Sequence, residues 1–218
     1  MTGRRGFGMS SAVNHCGRSR AGTRIEFAPS LDQARRQRGY VRLLLGDTKE
    51  AIVDLDEAIR LAPLDEVAHH LRALAYEKAE KFAEAEKDLD EAARLRPDSV
   101  DVLRDRARFR WCRKNDLAGA ERDYTRVIEL DPRSAAAYFN RGQVRMAQEK
   151  PALASEDYSA AIEIDPRYAD AYCRRANAKL ALGDTQGAAE DYRKALEVAP
   201  PEWPYRDGIR RWLEERGS

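Results

Sequence analysis

The chain has 218 residues, of which 35% are charged, and its formal net charge at pH 7 is only +1. This balance gives no general attraction to nucleic acid. The cysteines Cys16, Cys112 and Cys173 have neither a zinc-ligand spacing nor the even framework of a secreted disulfide protein. No apolar run approaches the ~20 residues of a membrane span. No cofactor, metal or catalytic motif is found, so neither an enzyme nor a membrane protein is indicated.

Residues 1–30 carry five arginines and a single acidic residue, Glu26, and are rich in Gly and Ser. They lack the apolar centre of a secretory signal, which favours a cytoplasmic protein with a disordered basic tail. Two alternatives stay open. The segment has the Arg-rich, acid-poor character of a mitochondrial transit peptide, or its start codon is placed too far upstream, with Met9 as another start.

Prolines recur every 34 or 35 residues, at Pro63, Pro97, Pro132, Pro166 and Pro200. A period of this length is typical of stacked helical hairpins. With each proline as position 32 of a 34-residue unit, the units begin at Asp32, Glu66, Val100, Ala135 and Ala169. The third unit has one extra residue, which we place in its turn around Lys114 and Asn115. The period predicts an all-α solenoid of five hairpins over residues 31–200.

Each unit has the pattern of two antiparallel helices. Position 8 is Gly or Ala, position 20 is always Ala, and position 24 is Leu or Tyr. Positions 20, 24, 27 and 28 share one face of a helix, which is therefore predicted to pack closely on the small residue at position 8. The turn between the helices is marked by Gly46-Asp47, Asn115-Asp116 and Gly183-Asp184.

Local residues predict how these helices begin and end. Glycine suits the left-handed end of the first helix, and aspartate can cap the second. Asp47 and Glu50 have the spacing of a capping box. In the fourth unit, Pro151 falls at the first position of the second helix, where its missing N–H costs little. The proline at position 32 ends each second helix.

Two charged columns run through all five units. Position 7 is Arg38, Arg72, Arg106, Arg141 and Arg175, and position 23 is Asp54, Asp88, Asp123, Asp157 and Asp191. The two positions are equally far from the turn on antiparallel helices, so we expect them to face each other. The guanidinium fork can satisfy a carboxylate in a partly dry space. We therefore predict one internal ion pair per hairpin rather than a row of ligand-binding arginines.

The chain after Pro200 predicts one further helix, from about Pro204 to Arg216. Tyr205, Ile209, Trp212 and Leu213 have the i, i+4, i+7, i+8 spacing of one apolar face. The open end of a repeat stack needs a cover, so residues 201–218 are interpreted as a capping helix. The alternative is a docking surface for a partner or a second copy of the chain.

The sequence resembles the tetratricopeptide repeat family. The resemblance rests on small residues at positions 8, 20 and 27, a large residue at 24, proline at 32, and the phrase Ala-Tyr-Phe-Asn-Arg-Gly at 137–142, followed by Asp-Tyr at 157–158 and Ile-Asp-Pro at 164–166. It covers residues 32 to 200 and implies a right-handed superhelix whose concave side is lined by the first helices. Arg35 and His69 depart from the aromatic of the family at position 4, and Lys81 replaces the capping aspartate.

The resemblance places ligand-facing residues at positions 2, 5, 6, 9, 12 and 13 of the first helices. In units three to five these include Arg104, Arg108, Trp111, Phe139, Asn140, Gln143, Met146, Arg174 and Asn177. This mixture of basic, amide and apolar groups favours a non-catalytic scaffold that binds a peptide or a helix of a protein partner. The three arginines indicate some preference for an acidic peptide or a C-terminal carboxylate.

Other functions stay open at this point. Family members that clamp chaperone C-termini use a pattern that Arg104, Asn140 and Arg174 fit, but Arg108 replaces an asparagine and Asp170 reverses a charge. An assembly factor that oligomerises through its ends, or the substrate-docking fragment of an enzyme, is the alternative class. The sequence does not fix the oligomeric state.

Overall fold

The computed structural model describes residues 30–216, so the tail predicted for residues 1–30 lies outside the described residues except for Ser30. Ten helices of this part form five hairpins: α1 (Leu31–Leu45) with α2 (Thr48–Leu61), α3 (Glu66–Lys78) with α4 (Phe82–Leu95), α5 (Val100–Phe109) with α6 (Leu117–Leu130), α7 (Ala135–Ala147) with α8 (Pro151–Ile164), and α9 (Ala169–Ala181) with α10 (Thr185–Val198). The helix α11 (Arg206–Glu214) follows. The predicted all-α solenoid is confirmed. Within 30–216, no helix is long and apolar enough to cross a bilayer.

The small residues at position 8 allow the two helices of a hairpin to approach closely. A Cβ on Gly142 would lie 2.7 Å from the Tyr158 ring, and one on Gly39 would lie 2.8 Å from Leu55 Cγ. All five alanines at position 20 are fully buried, at Ala51, Ala85, Ala120, Ala154 and Ala188. The sequence pattern therefore gives the packing of the hairpins correctly.

The turns agree in part with the prediction. Gly46, Asn115 and Gly183 have positive φ, as expected, but Glu80 and Glu149 take the same left-handed conformation in the other two hairpins (φ 58° and 59°). Left-handed backbone is unfavourable for a glutamate, because it has a Cβ. These two positions show that the geometry of the stack, and not the local residue, decides the turn.

Only some of the predicted aspartate caps form. Asp116 accepts a hydrogen bond from the Gly119 N–H (2.9 Å), and Asp184 accepts one from Gly187 (2.8 Å). The capping box predicted for Asp47 is wrong, because its side chain makes no cap hydrogen bond. In the two caps that form, the third helical residue is glycine, and a Cβ there would collide with the aspartate carboxylate. The first unit has the larger Glu50 at that point.

The extra residue of the third unit is absorbed in a π-helical turn, Arg110–Lys114, at the end of α5. We predicted it in the turn around Lys114 and Asn115, so its position is corrected to the end of the helix itself. The Asp116 N–H donates to the Arg110 carbonyl at 2.9 Å, which closes the wider turn. This hairpin therefore keeps its register with its neighbours despite the insertion.

The C-terminal segment packs on the fifth hairpin. Ile209 and Leu213 are buried, and the Trp212 ring lies edge-on to Tyr192 at 4.9 Å. Tyr205, which we placed on the same face, is exposed and precedes the helix. The sequence analysis missed Trp203, which is buried and donates its indole N–H to Asp170 at 2.9 Å. Trp203 thus fixes the segment before α11 begins.

Candidate binding groove

The charged columns form five internal ion pairs, as predicted. The distances are 2.6 Å for Arg38–Asp54, 2.7 Å for Arg72–Asp88, 2.7 Å for Arg106–Asp123, 2.7 Å for Arg141–Asp157 and 2.6 Å for Arg175–Asp191. All five aspartates are buried. Four of these arginines are therefore committed to the hairpins, with side chains at most 19% exposed, whereas the side chain of Arg38 is 52% exposed.

Each buried aspartate binds a second cation, which the sequence analysis missed. Position 11 supplies it in four units, through Arg42, Arg110, Arg145 and Lys179. The second unit has Tyr76 at that position, and His69 at position 4 contacts Asp88 instead (3.2 Å). Arg35 at position 4 likewise contacts Asp54 (3.0 Å). The two departures from the family aromatic are therefore extra cations for the buried carboxylates.

These contacts shift the protonation of the carboxylates. The Arg38 hydrogen bonds lower the pKa of Asp54 to about 2, against the effect of burial. Burial alone would raise the pKa of Asp88, but hydrogen bonds from Arg72 and His69 outweigh it and lower that pKa. The Asp88 hydrogen bond in turn raises the pKa of His69. Both aspartates are therefore ionised at neutral pH, and His69 is charged over a wider pH range than a free histidine.

The position-7 arginines also join neighbouring units. Arg72, Arg106, Arg141 and Arg175 each donate to the residue at position 25 of the preceding unit, which is Asp56, Asp90, Thr125 and Ser159 in turn. The distances run from 2.7 to 3.2 Å. A polar position 25 next to the column of aspartates is the sequence signal that would have revealed this contact.

Residues of units three to five, apart from the position-7 arginines, enclose a pocket of about 240 Å³. It is lined by Trp111, Gln143, Met146, Tyr158, Arg174 and Asn177. Five of these six residues were predicted from the sequence. The π-helical turn of the third unit carries Trp111, so the insertion supplies one wall of the pocket.

The other predicted groove residues do not line this pocket. Phe139 is buried against Tyr168, with ring centroids 4.8 Å apart, and so belongs to the core. Asn140 is half-buried outside the pocket lining. Arg104 pairs with Asp101 at 2.8 Å, and Arg108 donates two hydrogen bonds to Glu77 (2.9 and 2.7 Å). Both of these cations are thus neutralised within the protein.

Arg174 differs from the other two predicted arginines. It has no carboxylate partner within residues 30–216, and its guanidinium carbon lies 5.8 Å from the centre of the Tyr205 ring. Asp170, the acid that reverses a charge of the chaperone-clamp pattern, accepts the Trp203 N–H. Arg174 therefore presents an uncompensated charge and unused donors to the pocket, whose other lining residues are uncharged.

The remaining polar groups of the pocket are hydrogen-bonding amides and a phenol. Asn177 accepts the Tyr192 hydroxyl at 2.5 Å, which fixes the orientation of its amide. Burial raises the pKa of both Tyr158 and Tyr192, so both phenols stay neutral at physiological pH. Tyr158 was assigned to the core because it occupies position 24. Its ring packs closely on Gly142 and also borders the pocket.

Models of the tetratricopeptide repeat match residues 36–63, 67–99, 135–168 and 169–201, which together make up more than half of the chain. The matched ranges leave out residues 100–134, the unit with the π-helical turn.

Solved structures share the fold at low sequence identity. A structure of MamA is 21% identical with a TM-score of 0.72, and the match covers 77% of this chain and 91% of that one. YrrB, described as a TPR protein with an unusual peptide-binding site, is 19% identical with a TM-score of 0.69, over 77% and 86% of the two chains. PilW, a type IV pilus biogenesis factor, is 20% identical with a TM-score of 0.66, over 78% and 79%.

Proposed function

The chain belongs to the tetratricopeptide repeat family, and we propose that it is a non-catalytic scaffold that binds a peptide of a partner protein in the groove of units three to five. The observation that carries the proposal is Arg174, which lines the pocket without a carboxylate partner in the described residues. A cation in such a position is suited to an acidic side chain or a C-terminal carboxylate.

The rest of the lining indicates what lies next to that carboxylate. Trp111 and Met146 offer an aromatic ring and a flexible thioether, which suit an apolar side chain. Gln143 and the free side of the Asn177 amide can hydrogen-bond the backbone of an extended chain. We therefore expect a peptide whose last residues combine an apolar side chain with a free carboxylate.

The fold neighbours support this class of function. YrrB is described as having a peptide-binding site, and PilW as a factor in pilus biogenesis. The chaperone-tail clamp is less favoured, because Arg104 is paired with Asp101 and only Arg174 of that pattern lines the pocket. The cytoplasmic location stays a prediction from the sequence.

The test uses a displayed library of random peptides with free C-termini, selected on the full chain. For the best peptide, we expect Arg174→Gln to weaken binding by about 10- to 100-fold, because a hydrogen bond to a charged group is worth about 1.5–3 kcal/mol. Amidation of the peptide should have a similar effect. Binding should also weaken between 0.1 and 1 M salt, as the Debye length falls from ~10 to ~3 Å.

Two control variants separate the groove from general charge effects. Arg133→Gln removes an exposed arginine that has no ion pair in the described residues, and Arg104→Gln removes one already neutralised by Asp101. Both should bind the peptide almost as tightly as the unchanged chain. If Arg174→Gln binds equally well, or if no peptide is selected, the groove is not the binding site.

A further inference from the structure

The four interfaces between neighbouring repeats share one construction. The following unit contributes positions 3 and 10 of its first helix, and these side chains are all buried. Position 3 is Ala68, Val102, Ala137 and Ala171, and position 10 is Ala75, Phe109, Val144 and Ala178. Between them, the position-7 arginine donates to position 25 of the preceding unit. An apolar pair with a guanidinium between them is thus the stacking surface of this protein.

The covered arginines differ clearly from the first one. The side chains of Arg72, Arg106, Arg141 and Arg175 are 13 to 19% exposed, whereas that of Arg38 is 52% exposed. Arg38 uses Nε and Nη2 on its own Asp54, and its Nη1 lacks the acceptor that position 25 of a preceding unit would supply. The first repeat therefore presents the same surface with nothing from residues 30–216 upon it.

We call this surface the open face, and it consists of Ala34, Arg38, Val41 and Leu45 on α1. Ala34 and Val41 occupy the positions 3 and 10 that are buried in every later unit. Val41 is 50% exposed and Leu45 is 72% exposed. An aliphatic stripe of this kind at the end of a repeat stack is the place where a further helix would pack.

We propose that the open face docks an amphipathic helix of another protein, one that carries Asp, Ser or Thr three residues before an aliphatic residue. The four internal interfaces supply this signature as Asp56/Ile59, Asp90/Ala93, Thr125/Ile128 and Ser159/Ile162. The aliphatic residue meets position 3 of the following unit, as Ala93 does with Val102 and Ile128 with Ala137. The polar residue accepts from the arginine.

Charge argues against occupants from this chain itself. Residues 1–29 carry five arginines and one glutamate, which does not suit a surface where Arg35, Arg38 and Arg42 share Asp54. The last second helix, α10, has Arg193 at position 25, which would oppose Arg38. Two open faces of separate copies would likewise bring Arg38 against Arg38. A helix with an acidic or hydroxyl acceptor from a different protein fits better.

The probe is a synthetic peptide of residues 82–98. Within the protein, this segment packs on the first helix of the third unit through Asp90 and Ala93. A lactam bridge between Lys87 and Glu91, at i and i+4, holds it helical. We expect the full chain to bind it, and a peptide with Asp90→Arg to bind about tenfold more weakly or worse. Val41→Asp in the full chain should cause a similar loss, whereas Arg133→Gln, at an exposed arginine outside the open face, should leave the affinity unchanged.

Each other outcome overturns the proposal. Undetectable binding, equal binding of both peptides, or binding unaffected by Val41→Asp would show that the open face is not a docking site. If only a chain lacking residues 1–29 binds the peptide, the tail occupies the face. If light scattering finds a dimer of the full chain that Val41→Asp dissociates, a second copy occupies it. Circular dichroism of Val41→Asp, a change at an exposed position, should show unchanged helical content.

Discussion

The first and fifth repeats have the same hairpin, but their outer sides are completed in different ways. In the first, Arg35, Arg38 and Arg42 share one buried carboxylate at an end of the stack where the apolar stripe faces solvent. In the fifth, the largest apolar cluster of the described chain continues without a break into Trp203 and α11. We therefore expect the same sequence pattern to contribute a different stability depending on what covers it.

The largest difference in the free energy of unfolding is expected between apolar truncations at the C-terminal and N-terminal ends of the repeat stack. Trp203→Ala should lower the free energy of unfolding by about 3–5 kcal/mol, as buried aromatic truncations do. It also leaves Asp170 without its donor. Leu45→Ala, at an exposed position of the first repeat, should change the free energy of unfolding by less than about 0.5 kcal/mol. Urea denaturation of both variants tests this, and equal small losses would show that the C-terminal segment does not cap the stack.

The buried carboxylates should show the next largest contrast. Asp157→Ala leaves Arg141 and Arg145 without their shared anion in a largely buried site, and should cost about 3 kcal/mol or more. Asp54→Ala should cost about 1 kcal/mol, because its arginines are exposed enough to be solvated. Chemical denaturation measures both. Similar losses of unfolding free energy for the two variants would mean that the burial of the arginines does not affect the strength of these ion pairs.

The histidine of the second repeat should make stability depend on pH. Because Asp88 raises the pKa of His69, the contribution of this charged pair is complete below the ordinary histidine pKa of about 6.5. It is lost as the pH rises through the raised value. We therefore expect His69→Gln to destabilise the protein more at pH 5.5 than at pH 9. A difference that is independent of pH would show that His69 acts only as a neutral hydrogen-bonding group.

The smallest expected effects concern the turns. Glu149→Gly should stabilise the protein slightly, by about 0.5 kcal/mol, because glycine takes the left-handed conformation without strain. Gly183→Ala, at the equivalent turn of the fifth repeat (φ 83°), should destabilise by about 1 kcal/mol. Thermal melting of the pair is a sensitive comparison. A loss of stability in Glu149→Gly would indicate that the glutamate side chain itself supports its turn.

Much of the fold was predictable because its signals repeat. The proline period, the small residues at positions 8 and 20, and the two charged columns each occur in all five units. A departure in one unit therefore does not change the predicted fold. The Arg–Asp pairs followed from simple geometry of antiparallel helices. The left-handed Glu80 and Glu149 were not predictable, because tertiary packing overrides the local preference of the backbone there.

The sequence identified most residues of one pocket, but not which of the predicted charges are paired within the protein. Trp111, Gln143, Met146, Arg174 and Asn177 do line one pocket. The sequence could not show that Arg108 is neutralised by Glu77, because the two residues lie on different helices and are 31 positions apart in the chain. Nor could it show that the Asp170 carboxylate accepts the Trp203 N–H. Which charges stay available to a ligand depends on such distant contacts.

The acceptor at position 25 changes along the stack, and this has a consequence for how the repeats unfold together. Units one to three are joined by half-exposed carboxylates, Asp56 and Asp90, whereas the later units are joined by the hydroxyls of Thr125 and Ser159. Repeat proteins behave as a chain of units coupled to their nearest neighbours. Concentrated salt screens exposed ion pairs more strongly than hydrogen bonds from an arginine to a neutral hydroxyl. In 1 M salt, cooperativity should therefore be lost first in the N-terminal repeats, while the last three still unfold as one block.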